Sequence, residues 1–169
     1  HGSAAIRPKD FVLIDLWAKE VDGVYADITW TGYMGKRPPM RHQRIFSIVR
    51  EARDAAISLV KQRIADDSSL FGHEVDEASR SVIDAAGYGS KFFHRTGHSI
   101  GEEVHGNGAN IDSVETRDTR RILSRTCFSI EPGIYLPKWG GVRIEDDCHI
   151  LENSCRPMNQ STKELVIVG

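Results

Sequence analysis

The chain has 169 residues, 40% of them hydrophobic, with 22 lysines and arginines against 24 aspartates and glutamates for a net charge of −2. That length predicts a single domain over 1–169 with one ordinary core, burying roughly two-thirds of its unfolded surface. The even charge balance excludes the basic footprint of a nucleic-acid binder. No apolar run is long enough to span a bilayer and no charged-then-apolar leader opens the chain, so the expected location is cytoplasmic, with no membrane partner.

Residues 1–5 are small and carry no structural signal. The run 11–18 is almost continuously apolar after Pro8 and reads as a buried strand, interrupted by Asp15. Asp22-Gly23 is a turn signal, and 24–31 is rich in β-branched and aromatic residues, so the two runs predict an antiparallel hairpin with Asp27 in its second arm. Gly35 and Pro38-Pro39 close that unit. Ile45, Ile48, Val49, Ala52, Ala56, Leu59, Val60 and Ile64 then recur at three- and four-residue spacing, predicting a long helix with one face on a sheet. A shorter helix is expected over 74–86, with Gly87 as its C′ residue.

Residues 94–106 place His94, His98 and His105 in one glycine-punctuated segment, a pattern that suggests a metal or acid–base site. His94 and His98 have the spacing of a helical zinc pair, but Gly97 and Gly101 argue against a regular helix, and for any one histidine taken alone a hydrogen-bonded loop residue is the favoured reading. Residues 110–125 read as a loop, with 115–121 as solvated surface. The runs 127–135 and 141–151 flank the turn-prone 138–141 and predict a second hairpin, carrying Glu131 in one arm and Glu145 in the other. Cys127, Cys148 and Cys155 are odd in number and lie in or near strand-like stretches, as reduced core thiols do. Hairpin, two helices, histidine segment and hairpin together predict an α+β fold in two loosely similar parts.

Asp15, Asp27, Glu131 and Glu145 each sit in a stretch otherwise built for burial. A buried acid needs a partner, and for any one of them an ion pair is the ordinary explanation, with Arg143 two residues from Glu145. If all four converge, their mutual repulsion and lost hydration are tolerable only with added positive charge, which two divalent cations supply. A hard, oxygen-rich donor set with one imidazole suits Mn²⁺, Fe²⁺, Co²⁺ or Zn²⁺, and two such ions roughly 3.5–4 Å apart acidify water for hydrolysis.

Asp15 and Asp27 on two hairpin arms, His98 within His-x-x-x-His-x-x-Gly-x-x-x-His, Glu131 in Ile-Glu-Pro-Gly and Glu145 in Val-Arg-Ile-Glu-Asp-Asp together resemble the pita-bread metallopeptidases, over residues 7–151. The closest likeness is to the aminopeptidase P and prolidase branch, with His94 as the discriminating residue. The resemblance implies a pita-bread (creatinase/aminopeptidase-like) fold and two divalent metal ions per chain, manganese first, with zinc, cobalt or iron as alternatives. It implies Asp15, Asp27, His98, Glu131 and Glu145 as metal ligands, with Asp27 and Glu145 bridging. His94, His105 and Glu131 would be catalytic, and His94, His105 and Arg143 would contact a proline-containing peptide. The implied reaction is attack of a metal-bridging hydroxide on the bond before proline, Glu131 shuttling the proton and His105 polarising the carbonyl.

Four departures accompany the likeness. Asp15 and Asp27 are one position further apart than the family pattern, requiring a bulge or a longer turn. Trp30 stands where an arginine is common, and Gly106 where an acid is common. The helices that usually precede the first metal-bearing strand are missing, which implies the C-terminal part of a longer protein. Two other readings remain: a metal-free peptide- or protein-binding module of the same fold, and a metal-free hydrolase of creatine-like compounds. A homodimer is left open.

Overall fold

A computed structural model describes residues 5–169; of the featureless opening, 1–4 lie outside the described residues. Strands β1 (Phe11–Ala18) and β2 (Ala26–Met34) form the first hairpin. Their antiparallel ladder runs unbroken from Phe11 opposite Tyr33 to Ala18 opposite Ala26. Asp15 faces Thr29 and Trp17 faces Asp27, so these four side chains share one face, because opposed and alternate residues of a ladder point the same way. No bulge is needed: the extra residue between the two aspartates is absorbed in the turn, where Asp22 takes a positive φ of 61° and Gly23 N–H donates to Glu20 O at 3.0 Å.

Helix α1 (Met40–Ala65) starts directly after Pro39, earlier than the periodicity suggests, and α2 (Gly72–Ala85) follows. The C-terminus of α2 is as expected. Gly87 adopts φ 84°, Tyr88 N–H bonds Ile83 O and Gly87 N–H bonds Asp84 O, the paired bonds of a Schellman motif. A single 3₁₀ turn, Gly89–Lys91, leads into the histidine segment.

Strand β3 (Ser99–Ile100) pairs with β4 (Cys127–Ile130), which pairs with β7 (Asp146–Ile150), and β7 with β8 (Cys155–Pro157). Strands β5 (Gly133–Leu136) and β6 (Gly140–Arg143) close the second hairpin, and β9 (Val166–Val168) runs parallel to β2. The α1 spine of Val49, Ala52, Ala56 and Val60 is fully buried. It packs on Phe128, Ile130, Cys148 and Ile150 in one cluster and on Ile134, Val142 and Ile144 in the other. The three cysteines are free thiols, as expected. Among the described residues no helix is long and apolar enough to cross a membrane.

Three sequence expectations need correction. The run 11–18 is a strand but not a buried one. Ile14 and Leu16 are each 60% exposed, because no described element covers the face opposite Asp15, which forgoes about 1.5–3 kcal/mol per side chain. The arms of the second hairpin are not continuous strands: the ladder opens at Glu131-Pro132 and Ile144-Glu145 and resumes in the same register. Finally, 115–121 is not all solvated surface. Asp118 is buried, accepting the amides of Asn110 and Arg120 and the Arg120 side chain, which holds its carboxyl down at about 2 despite burial.

Candidate active site

The opened ladder is what makes Glu131 and Glu145 available. Pro132 has no N–H to give, and the two glutamate amides pair elsewhere: Glu131 N–H donates to Thr96 O at 2.6 Å and Glu145 N–H to Thr29 O at 3.1 Å. The first bond docks the histidine segment against one arm and the second docks β2 against the other. Gly97 permits the close approach, since a Cβ there would sit 1.9 Å from Ser129 O. His98 is held by its own N–H to Ser129 Oγ at 3.1 Å and by Ser129 N–H to His98 O at 2.9 Å.

The result is a cavity of about 280 Å³ lined by Asp15, Trp17, Asp27, His98, Val104, His105, Glu131, Arg143 and Glu145. All five sequence-predicted ligands, His105 and Arg143 therefore meet. His98 Nε2 lies 3.6 Å from Asp27 Oδ2 and 3.4 Å from Glu131 Oε1. Asp27, His98 and Glu145 each offer one ligand atom within 4.8 Å of the others. Asp15 stands at the rim, 38% exposed, and its carboxylate is paired with the Arg143 guanidinium, whose Nε also lies 3.6 Å from Glu131 Oε2. The His105 ring meets His98 edge-on at 4.4 Å between centroids. His94 is not part of this cavity. Its Nε2 is 2.8 Å from Tyr135 Oη and its Nδ1 is 2.7 Å from Arg95 O.

Buried oxygens identify what the site lacks. Asp27 Oδ1 and Glu145 Oε1 have no hydrogen-bond partner, whereas Glu145 Oε2 accepts from Thr29 Oγ1 at 2.7 Å. Leaving such acceptors bare costs about 1–3 kcal/mol each, so the arrangement fits a cation better than an isolated protein core. Burial pushes Glu145 and Glu131 upward, each reinforced by neighbouring carboxylates, while Arg143 opposes the rise. Burial likewise raises Asp27 and depresses His98 to about 4, keeping the imidazole neutral and free to act as a ligand. A divalent cation here would supply the positive charge that lets these carboxylates ionise together.

Sequence reasoning missed several residues that shape the site. Thr29 lies two residues past Asp27 in a strand, so its shared face was recoverable from the period of two. Tyr135, Ser129 and Thr96 act through contacts between distant segments and carry no local signal. Asp147 accepts the Asp27 N–H at 2.9 Å and likewise has a bare buried oxygen. A larger cavity, about 760 Å³, lies beside the 101–108 loop, and none of the five predicted ligands lines it.

Antiparallel hairpins backed by helices, with acids from both hairpins and one imidazole lining a single cavity, define a pita-bread protein with a candidate cation centre. The comparisons narrow this further. The profile of metallopeptidase family M24 matches residues 1–152, and the chain belongs to that family. A Xaa-Pro dipeptidase of Lactobacillus helveticus is 35% identical over 163 residues, covering 96% of this chain and 41% of that protein. The X-Pro aminopeptidase structure from Thermotoga maritima superposes with a TM-score of 0.84 at 31% identity, over 99% of this chain and 45% of that one. The prolidase structure from Pyrococcus horikoshii gives 0.81 at 32%, over 98% and 44%. The chain thus spans about two fifths of the length of these relatives.

Proposed function

We propose that residues 1–169 form part of the catalytic domain of a metal-dependent peptidase that hydrolyses the bond preceding proline in a short peptide. The observation that carries this reading is the convergence of Asp27, His98, Glu131 and Glu145 around oxygens that have no protein partner. Asp15, Asp27, His98, Glu131 and Glu145 would hold two divalent cations. Bound there, such ions lower the pKa of water and polarise a carbonyl.

The chain's own groups do the rest. Glu131, beside His98 and Arg143 in the cavity, would accept a proton from the attacking water and pass it to the leaving nitrogen. That transfer matters for this substrate class, because the leaving nitrogen belongs to the proline ring and, as a tertiary amide, carries no hydrogen of its own. His105, exposed at the mouth of the cavity beside His98, is placed to donate a hydrogen bond to the oxygen of the scissile carbonyl. Arg143 holds Asp15 and lies close to Glu131, fixing two acids of the centre and presenting a cation to the substrate. His94 reaches the site only through Tyr135, so its contribution is to that side of the wall.

The test is metal quantification followed by a panel of Xaa-Pro and control peptides under Mn²⁺ and Zn²⁺. About two equivalents per chain with chelator-sensitive cleavage before proline supports the reading. Metal-free protein that binds a proline peptide without cleaving it refutes it in favour of a binding module.

A further inference from the structure

We infer that Asp76 and Arg80, a buried ion pair on α2 outside the carboxylate centre, are positioning residues that set the histidine segment against that centre; the inference rests on the peptidase reading above. Asp76 is fully buried and Arg80 follows it by one helical turn, with Nη2 3.0 Å from Oδ1 and Nε 3.1 Å from Oδ2. What distinguishes the pair is where its remaining bonds go. Arg80 donates from Nη1 to Phe92 O at 2.8 Å and from Nη2 to His94 O at 2.9 Å, with its guanidinium 4.1 Å from the centroid of the Phe92 ring. Asp76 accepts the Thr96 amide at 2.9 Å, the Ser113 amide at 3.2 Å and the Ser113 hydroxyl.

Residues 92–96 belong to no helix or strand, and three of their backbone groups, Phe92 O, His94 O and the Thr96 amide, find their partners in these side chains. The consequences run directly to the site. Thr96, gripped by Asp76 at its amide, accepts the Glu131 N–H at its carbonyl. His94, gripped by Arg80 at its carbonyl, places Nε2 against Tyr135 Oη. One ion pair therefore fixes both the strand break that presents Glu131 and the ring that backs Tyr135. A buried pair contributes little to stability compared with apolar packing, whereas a planar guanidinium with several directed donors is suited to holding two carbonyls and a carboxylate in one geometry.

Arg80→Lys keeps the charge but cannot span Phe92 O, His94 O and Asp76 together. The expected result is unchanged metal content, a melting temperature within a few degrees of the parent, and kcat on an Xaa-Pro dipeptide lowered about 10–100-fold with KM within about 2-fold. The His94 ring nitrogen NMR signals should shift toward those of Tyr135→Phe, in which the same hydrogen bond is absent. Millimolar guanidinium should restore part of kcat in Arg80→Ala. Unchanged kcat with unmoved His94 signals overturns the inference, as does a kcat loss that only follows lost metal or lost fold. If Arg80→Lys does not fold, Asp76→Asn is read in the same way, and failure of both to fold assigns the pair to stability alone. If the parent protein cleaves no Xaa-Pro peptide, the peptidase reading fails. The His94 signals then decide: movement in Arg80→Lys supports positioning, and none overturns it.

Discussion

The two hairpins that supply the acids solve the same problem in different ways. In β1–β2 the ladder is unbroken and two aspartates project from one face, while the other face, with Ile14 and Leu16, is exposed. In the second hairpin the ladder opens at two opposed positions, glutamates fill the opening, and the opposite face is sealed by α1 through Phe128, Ile130, Val142 and Ile144. A carboxylate on an intact strand needs only the right parity. A carboxylate at a break needs its amide satisfied elsewhere, and that requirement is what draws the histidine segment and β2 into the site.

If that difference is real, the second hairpin should be far less tolerant of change. Glu145→Gln should cause the largest loss, on the order of 10⁴-fold in Xaa-Pro hydrolysis, since it weakens both cation binding and the chemistry that cations support. Metal content measured alongside activity should fall with it, and full occupancy would remove Glu145 from the ligand set. Glu131→Gln should lower kcat about 10²–10⁴-fold through the lost proton relay, seen in steady-state kinetics. Gly97→Ala should cost at least ~1–3 kcal/mol in chemical denaturation, because the new methyl would overlap Ser129 O at the docking point of the histidine segment. Ile14→Lys, on the open face of the first hairpin, should change stability by only about 0.5 kcal/mol. A large effect there would mean that this face is covered in solution.

The pH dependence sharpens the same contrast. Glu145, pushed up to about 9, and Glu131, up to about 7, bind protons in the folded state that the unfolded chain has already released. Stability of the chelated protein should therefore fall as pH rises from about 6.5 to 9. His98, held near 4, is neutral in both states once the pH is well above 6.5 and adds no slope there; its own contribution is lost as pH falls through 6.5 toward 4. Melting curves in EDTA should show the decline, and Mn²⁺ should flatten or reverse it. A flat profile without metal would mean that the glutamates are ionised and already paired.

Much of this organisation was legible in the residues. The period of 3.6 marked α1 and α2, Gly87 marked the end of α2, and turn residues marked both hairpins. Acids in apolar runs marked the site. Other features were not legible. The sequence shows Pro132 but not that the ladder resumes beyond it in the same register, and the apolar run 11–18 has the composition of a buried strand although its outer face is open. Asp118 lies in a charge-dense loop yet is buried, because the amides of Asn110 and Arg120 and the Arg120 guanidinium satisfy it.

Sequence by itself determined which groups carry charge and which faces are apolar, since side-chain chemistry and local periodicity are properties of neighbouring residues. It also sufficed to single out Asp15, Asp27, His98, Glu131, Glu145, His105 and Arg143. Only the tertiary structure decided that these seven line one cavity while His94 stands behind Tyr135, and that Asp27 and Glu145 each keep a bare buried oxygen there. Those outcomes depend on hydrogen bonds between distant segments, such as Asp27 to Asp147, 120 positions apart, and no local pattern encodes which distant group will meet a given side chain.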